Sequence, residues 1–373
     1  MPKLNLSVTP SLCALLLALS ATAHGAEPQS GSQPSVEERL TALEQKSAQP
    51  AAQQSALPDS VQVTGLVEVE AVGGEDYAGQ SYSDLTVATV EVGMEAAIND
   101  KVSAAVVFLY EQDETDFGVD VATLTIAELV GPVDFTVGKM YLPFGKFDTA
   151  LINDTLVLEL AETNKTAAVF AFEQSGIQAG AYVFDGDQER ERHAENYGVT
   201  VGFVQEAFQV GVDYLSSITE SDGVADLNET LSAEADPVID PAFEWDEAAP
   251  AYSVHGQFTL GAVALIAEYL DLTDPLVDAT NGVEIEPTAA QLELDVTATL
   301  AGQEYTLAAG YQQTEDALVL GLPEERISLG CSTEIYKNVT LGGEIWRDSD
   351  YGLADGGSDE ESDNLVVQLA ASF

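Results

Sequence analysis

Between Gln291 and Leu300 every second residue is apolar. Leu292, Leu294, Val296, Ala298 and Leu300 alternate with Gln291, Glu293, Asp295, Thr297 and Thr299. Successive side chains of a β-strand point to opposite faces, so this period makes one face apolar and the other polar and acidic. The same period recurs near the start of the chain. Val61, Val63, Val67 and Val69 oppose Gln62, Thr64, Glu68 and Glu70, and Val90, Val92, Met94 and Ala96 oppose Glu91 and Glu95. The chain ends on Asn364–Phe373, where Leu365, Val367, Leu369, Ala371 and Phe373 share a face. A soluble sandwich would turn the apolar set inward. A membrane barrel turns it to lipid, leaves the acids in a wet lumen and places an aromatic at the membrane boundary.

The spacing of these segments predicts an all-β fold. Candidate strands are 60–72, 83–97, 101–111, 118–130, 132–142, 165–173, 176–184, 195–204, 207–217, 251–260, 262–271, 288–300, 303–314, 324–336, 338–347 and 363–373. Most run about 10 residues, enough for a tilted strand to cross a bilayer. Turns of one or two residues, such as Gly131, alternate with longer connections at 73–82, 112–117, 143–164, 185–194, 218–250, 272–287, 315–323 and 348–362. Alternating short and long connections mark a transmembrane antiparallel β-barrel of about 16 strands; fourteen or eighteen are the alternatives. Such a barrel is too wide for side chains to fill and encloses an aqueous channel.

The front of the chain reads differently. Lys3, the apolar stretch Leu12–Leu19 and Ala21-Thr22-Ala23 make residues 1–26 a signal peptide. Residues 27–58 form a periplasmic linker in which Val36, Leu40 and Leu43 trace a short coiled-coil-like helix, a candidate homotrimer contact or a frayed helix. This linker is too short for the plug of an energised receptor. The barrel occupies 59–373. With Cys13 in the signal, Cys331 stands alone in the mature chain and no intramolecular disulfide forms.

Acids outnumber bases 64 to 12, for a net charge of −52. Nucleic-acid binding is excluded, because phosphate contacts need Lys and Arg. Such acidity also fits a high-salt habitat. The chain lacks a nucleophile elbow, a phosphate loop and a zinc motif, so no catalytic residue, metal or cofactor is expected. The expected partners are outer-membrane lipids, a small solute and the barrel-assembly machinery, which would engage the strand ending at Phe373. A structural or adhesive barrel is the reading from another class.

Specificity is expected at the connection 143–164. Its apolar run Leu156–Leu160 would be sticky on a surface loop and is better buried against the lumen wall. An extra strand at 154–161 is the alternative. Lys139, Lys146 and Lys165 with Asp148, Asp154, Glu159 and Glu162 are candidates for a charged constriction, or else ordinary solvated pairs. Glu68, Glu70, Glu91, Glu95, Asp134, Glu268, Glu293, Asp295, Glu304, Glu334 and Glu344 are expected to face the lumen and to favour cations.

Gly138-Lys-Met-Tyr-Leu-Pro-Phe-Gly-Lys-Phe-Asp148, together with Leu156–Thr163, Val183–Asp187 and the helical signature at 36–46, resembles the LbtU-type siderophore porins. The resemblance implies a plug-free barrel that takes up an iron–siderophore. It carries over no ligand residues, and a general cation-selective diffusion porin is the alternative within transport.

Overall fold

Each alternating segment can satisfy its backbone only by pairing with a neighbour, and in lipid no edge can be left open. The computed structural model describes residues 60–113, 115–186, 196–225, 227, 245, 248–277 and 284–373. The expected signal, linker and helix at 36–46 lie outside the described residues. The strands are β1 (Val61–Glu75), β2 (Ser81–Asn99), β3 (Val102–Glu111), β4 (Thr115–Ile126), β5 (Val133–Tyr141), β6 (Asn164–Gln174), β7 (Ile177–Phe184), β8 (Asn196–Gln205), β9 (Phe208–Leu215), β10 (Ala251–Leu260), β11 (Val263–Leu272), β12 (Leu276–Val277), β13 (Glu284–Ile285), β14 (Thr288–Leu300), β15 (Gln303–Glu315), β16 (Glu325–Tyr336), β17 (Val339–Ser349) and β18 (Glu361–Ser372). β12 and β13 pair only with each other, inside one long connection. The other sixteen form a closed antiparallel barrel, each paired with its sequence neighbours. Helix α1 (Leu156–Ala161) lies where the extra strand was the alternative.

The seam joins the two ends of the barrel. β1 and β18 pair from Leu66 with Ser372 to Gly74 with Asn364. Gly65 and Phe373 then exchange both backbone hydrogen bonds, at 2.9 and 3.0 Å. The Phe373 ring covers Gly65, where a Cβ would lie 2.2 Å from it. On β18, Leu365, Val367 and Leu369 face outward, while Asn364, Val366, Gln368 and Ala370 are buried on the inner face. Outward aromatics gather at both ends of the wall. Tyr197–Tyr214 and Tyr252–Tyr269 pair near the long loops, and Phe203–Phe208 and Phe135–Phe170 pair near the short turns. These positions suit the two membrane–water boundaries.

The alternation of connection lengths is less regular than the sequence pattern implies. β1 and β2 stay paired as far as Glu75 and Ser81, which shortens the first loop to 76–80. The β3–β4 connection shrinks to 112–114. Conversely, β4 stops at Ile126. Residues 127–132 fold into a turn in which Leu129 N–H donates to Val133 O and Glu128 N–H to the Asp134 carboxylate.

β4 and β5 pair over only five positions, Ala122–Ile126 with Phe135–Lys139. Gly138 makes this end possible: its φ is +139°, and a Cβ there would lie 1.9 Å from the Ala122 carbonyl oxygen. Beyond it, side chains replace the missing backbone pairs between β4 and β5. Lys139 Nζ donates to Val119 O at 3.0 Å, and Asn164 Nδ2 to the carbonyl and carboxylate of Asp120.

Candidate functional site in the barrel lumen

After Tyr141 the chain leaves the wall and runs inside the barrel to Thr163. The ends of this loop are tied where Leu142 N–H donates to Thr163 O at 2.9 Å. Gly145 and Phe147 adopt left-handed backbone, φ +77° and +55°. A Cβ at 145 would strike the Phe147 ring at 2.3 Å, so the bend needs glycine.

A ladder of wall side chains accepts the loop's N–H groups. Asp213 on β9 takes Gly145 N–H at 3.0 Å, and Glu268 on β11 takes Lys146 and Phe147 N–H at 2.9 and 2.8 Å. Glu293 on β14 takes Ala150 N–H at 2.6 Å and the Thr149 hydroxyl. Glu344 on β17 takes Ile152 and Asn153 N–H at 2.6 and 3.0 Å, and Gln312 on β15 takes Leu156 N–H at 2.6 Å. An irregular loop in a lumen cannot pair its backbone as a strand would, and carboxylates are strong substitutes. Small residues give the loop room. A Cβ on Gly310, Gly330 or Gly342 would press on Leu151 or Ile152 at 2.8–3.1 Å.

Helix α1 ends the ladder. Thr155 caps it, accepting from Leu158 N–H at 3.1 Å. Leu156, Val157, Leu158, Leu160 and Ala161 are buried in an apolar core with Phe184, Leu215, Ile218 and Leu270 from neighbouring strands and loops. Glu159 points the other way, to Arg326 at 3.5 Å, and Arg326 also forms a two-point pair with Asp348. Burial pushes the Glu159 carboxyl up to about 7, against the lowering effect of Arg326. Arg326 Nη1 additionally donates to Asp154 O at 3.3 Å.

The three expected lysines are not gathered at one constriction. Lys139 is engaged on β4, and Lys165 pairs with buried Glu220 at 3.0 Å, fixing the segment after β9. Only Lys146 belongs to the loop. Among the acids, Asp148 accepts from Gln209 at 3.0 Å, and the Glu162 carbonyl receives Asp222 N–H at 2.8 Å. The sequence reading also took every inner acid as a wetted group. Instead Glu293 and Glu344 are buried beneath the loop because they hold it, Asp295 is buried beside Glu293, Asp134 closes a turn, and Glu70 accepts from Gln368. Glu304 is exposed, while Glu95 is half-buried. Missed were Glu111, Asp120, Asp213, Gln312 and Arg326. The wall outside the ladder, β1 to β4, carries Glu68, Glu70, Glu91, Glu111 and Asp120.

Residues 40–352 match the model of the Gram-negative porin family. The chain belongs to that family. Its place is the bacterial outer membrane. The porin is 26% identical to a UPF0422 protein of Legionella pneumophila over 294 residues, covering 72% of this chain and 55% of the relative. A Coxiella burnetii UPF0422 protein is 25% identical over 323 residues, covering 79% of this chain and 66% of that one. The porin thus spans about half to two thirds of these relatives' length. Among solved structures it is similar to Salmonella typhi OmpF, determined with daunomycin, with TM-score 0.60 and 13% identity over 84% of this chain and 97% of that one. The Acinetobacter baumannii outer-membrane channel DcaP gives TM-score 0.56 and 13% identity, again over 84% and 97%. Vibrio cholerae OmpT, recorded in a trimer form, gives 0.55 and 13%, over 84% and 99%.

Proposed function

We propose that the porin is a non-enzymatic channel that passes small hydrophilic solutes by diffusion and prefers cations. The observation that carries this reading is the acid surplus on the inner face of β1–β4, where Glu68, Glu70, Glu91, Glu111 and Asp120 share their strands with no Lys, Arg or His. Buried behind the lumen surface, such acids set a negative potential that favours cations in the passage. The ladder supports a fixed loop against the opposite wall, and so a passage of constant shape. Iron–siderophore uptake is the finer reading and rests on the resemblance at Gly138–Asp148. An acidic lumen suits a cationic or neutral ferric complex better than an anionic one. A homotrimer is the assembly we propose, in line with the trimer form recorded for Vibrio cholerae OmpT.

The test is the reversal potential in a planar bilayer under a KCl gradient. The expected sign is that of a K+-preferring pore. A chloride preference would overturn the acidic-wall argument, and absence of conductance steps would overturn the channel. Current block by a ferric siderophore of known charge, set against its iron-free form, reads the finer claim.

A further inference from the structure

The inner face of β1–β3 holds carboxylates that the ladder does not use. Glu68 is wholly buried, and neither of its oxygens has a hydrogen bond of good geometry among the described residues. Its cross-strand neighbour Thr89, also wholly buried, holds its hydroxyl close to the carboxyl, outside good hydrogen-bond geometry, and has no other hydrogen-bond partner among the described residues. Glu111, 2% exposed, lies within electrostatic reach of Glu68. One of its oxygens accepts from Thr115 at 2.8 Å and the other has no partner. Asp120, within electrostatic reach of Glu111, likewise has one engaged and one unpaired oxygen. The nearby base, Lys139, donates to Val119 O and lies within electrostatic reach of Asp120, not of Glu68 or Glu111.

A buried carboxylate without a partner is costly, so it holds a proton until a partner of opposite charge takes that proton's place. Once ionised, the carboxylates offer acceptors alone and the hydroxyl can also accept, so the visitor that replaces the proton is a donor. A primary ammonium group has three donors on a compact charge and matches them. No group of His, Cys, Asp and Glu among the described residues has the arrangement of a metal site, which favours an organic cation over a bare divalent ion.

We propose that Glu68, Thr89 and Glu111 form a subsite for the primary ammonium group of a cationic solute in transit. The inference rests on the cation-channel reading and deepens it. Glu68, Thr89 and Glu111 are covered in this structure, so the subsite requires their side-chain tips to turn toward the lumen when the ammonium binds. A quaternary ammonium, bulky and without N–H donors, does not fit.

The experiment is block of the single-channel K+ current by 1,4-diaminobutane, with tetramethylammonium as the comparison. In the unaltered protein the diamine blocks at lower concentration. In E68Q/E111Q its half-blocking concentration rises by about tenfold or more, as expected for loss of charge-assisted contacts. Glu206→Gln, in the exposed β8–β9 turn, leaves the block unchanged. Heat-modifiable gel migration confirms that each variant folds, and the single variants E68Q and E111Q are read the same way if the double variant does not. Undiminished diamine block in these variants, or equal block by tetramethylammonium, overturns the subsite. A pore without K+ preference overturns the cation-preference reading separately, since the diamine comparison is made at one salt concentration and needs no reversal potential.

Discussion

Truncating Glu344 to Ala tests whether the lumen loop is held by the wall. One Glu344 oxygen accepts both Ile152 N–H at 2.6 Å and Asn153 N–H at 3.0 Å. Hydrogen bonds to a charged group contribute about 1.5–3 kcal/mol each, and a buried donor left without an acceptor adds its own penalty. Losing both favours the undocked loop by at least about 3 kcal/mol, or about two decades in population. Glu344→Gln keeps an amide oxygen at the same reach and costs roughly 1 kcal/mol. The assay is open-channel noise and mean conductance of single channels in a planar bilayer, with heat-modifiable migration as the check on folding. Expected are noisy, larger currents for Ala and near-normal currents for Gln. Quiet wild-type currents from the Ala variant would refute the ladder. Equal disturbance by Gln and Ala would show that charge, rather than acceptor geometry, does the holding.

Docking of α1 should also depend on pH. Because the Glu159 carboxyl is raised from 4.5 to about 7 in the folded protein, the folded state holds the extra proton between those values. Its stabilisation is complete below about 4.5 and is lost as pH rises through about 7, a change of at most about 3 kcal/mol. Channel noise should therefore grow from pH 5 to pH 8 and become flat in Glu159→Gln; an unchanged slope in that variant would contradict the assignment. Gly138→Ala should abolish the folded barrel on gels, because its Cβ cannot coexist with the Ala122 carbonyl at 1.9 Å; normal folding yield would show that β5 can shift. Phe373→Ala should slow insertion into lipid vesicles from urea, since the ring covers Gly65 at the seam; an unaltered rate would leave that cover without a role in closure.

The barrel was legible because its signal is local. Leu292–Leu300 and Leu365–Phe373 carry the period of a strand within about ten residues, and the sixteen wall strands fall close to their expected bounds. The loop's inward course was also legible, since Leu156–Leu160 needed a place to be buried. The ladder was not. Phe147 meets Glu268, Ala150 meets Glu293 and Ile152 meets Glu344 across 121, 143 and 192 residues, beyond the reach of any periodicity. Alternation tells which face a carboxylate takes but not what it meets there. That is why Glu293 and Glu344 read as wetted groups, and why Lys165 read as part of a constriction although Glu220 claims it. The strand ends at Glu75 and Ile126 were set by pairing and turn hydrogen bonds, which apolar spacing does not encode.

The ladder also fixes an order of events. Residues 142–163 are synthesised before β9, yet their acceptors stand on β9, β11, β14, β15 and β17. Until those strands arrive, Leu156–Ala161 lack much of their apolar core, Leu215, Leu270 and Ala289 included, and the partly assembled chain carries an apolar segment prone to association. The wall must come first and the passage is shaped last. An assembly intermediate halted before β17 joins would hold a loose, unshaped lumen, and shielding that segment becomes a task for whatever escorts the chain across the periplasm.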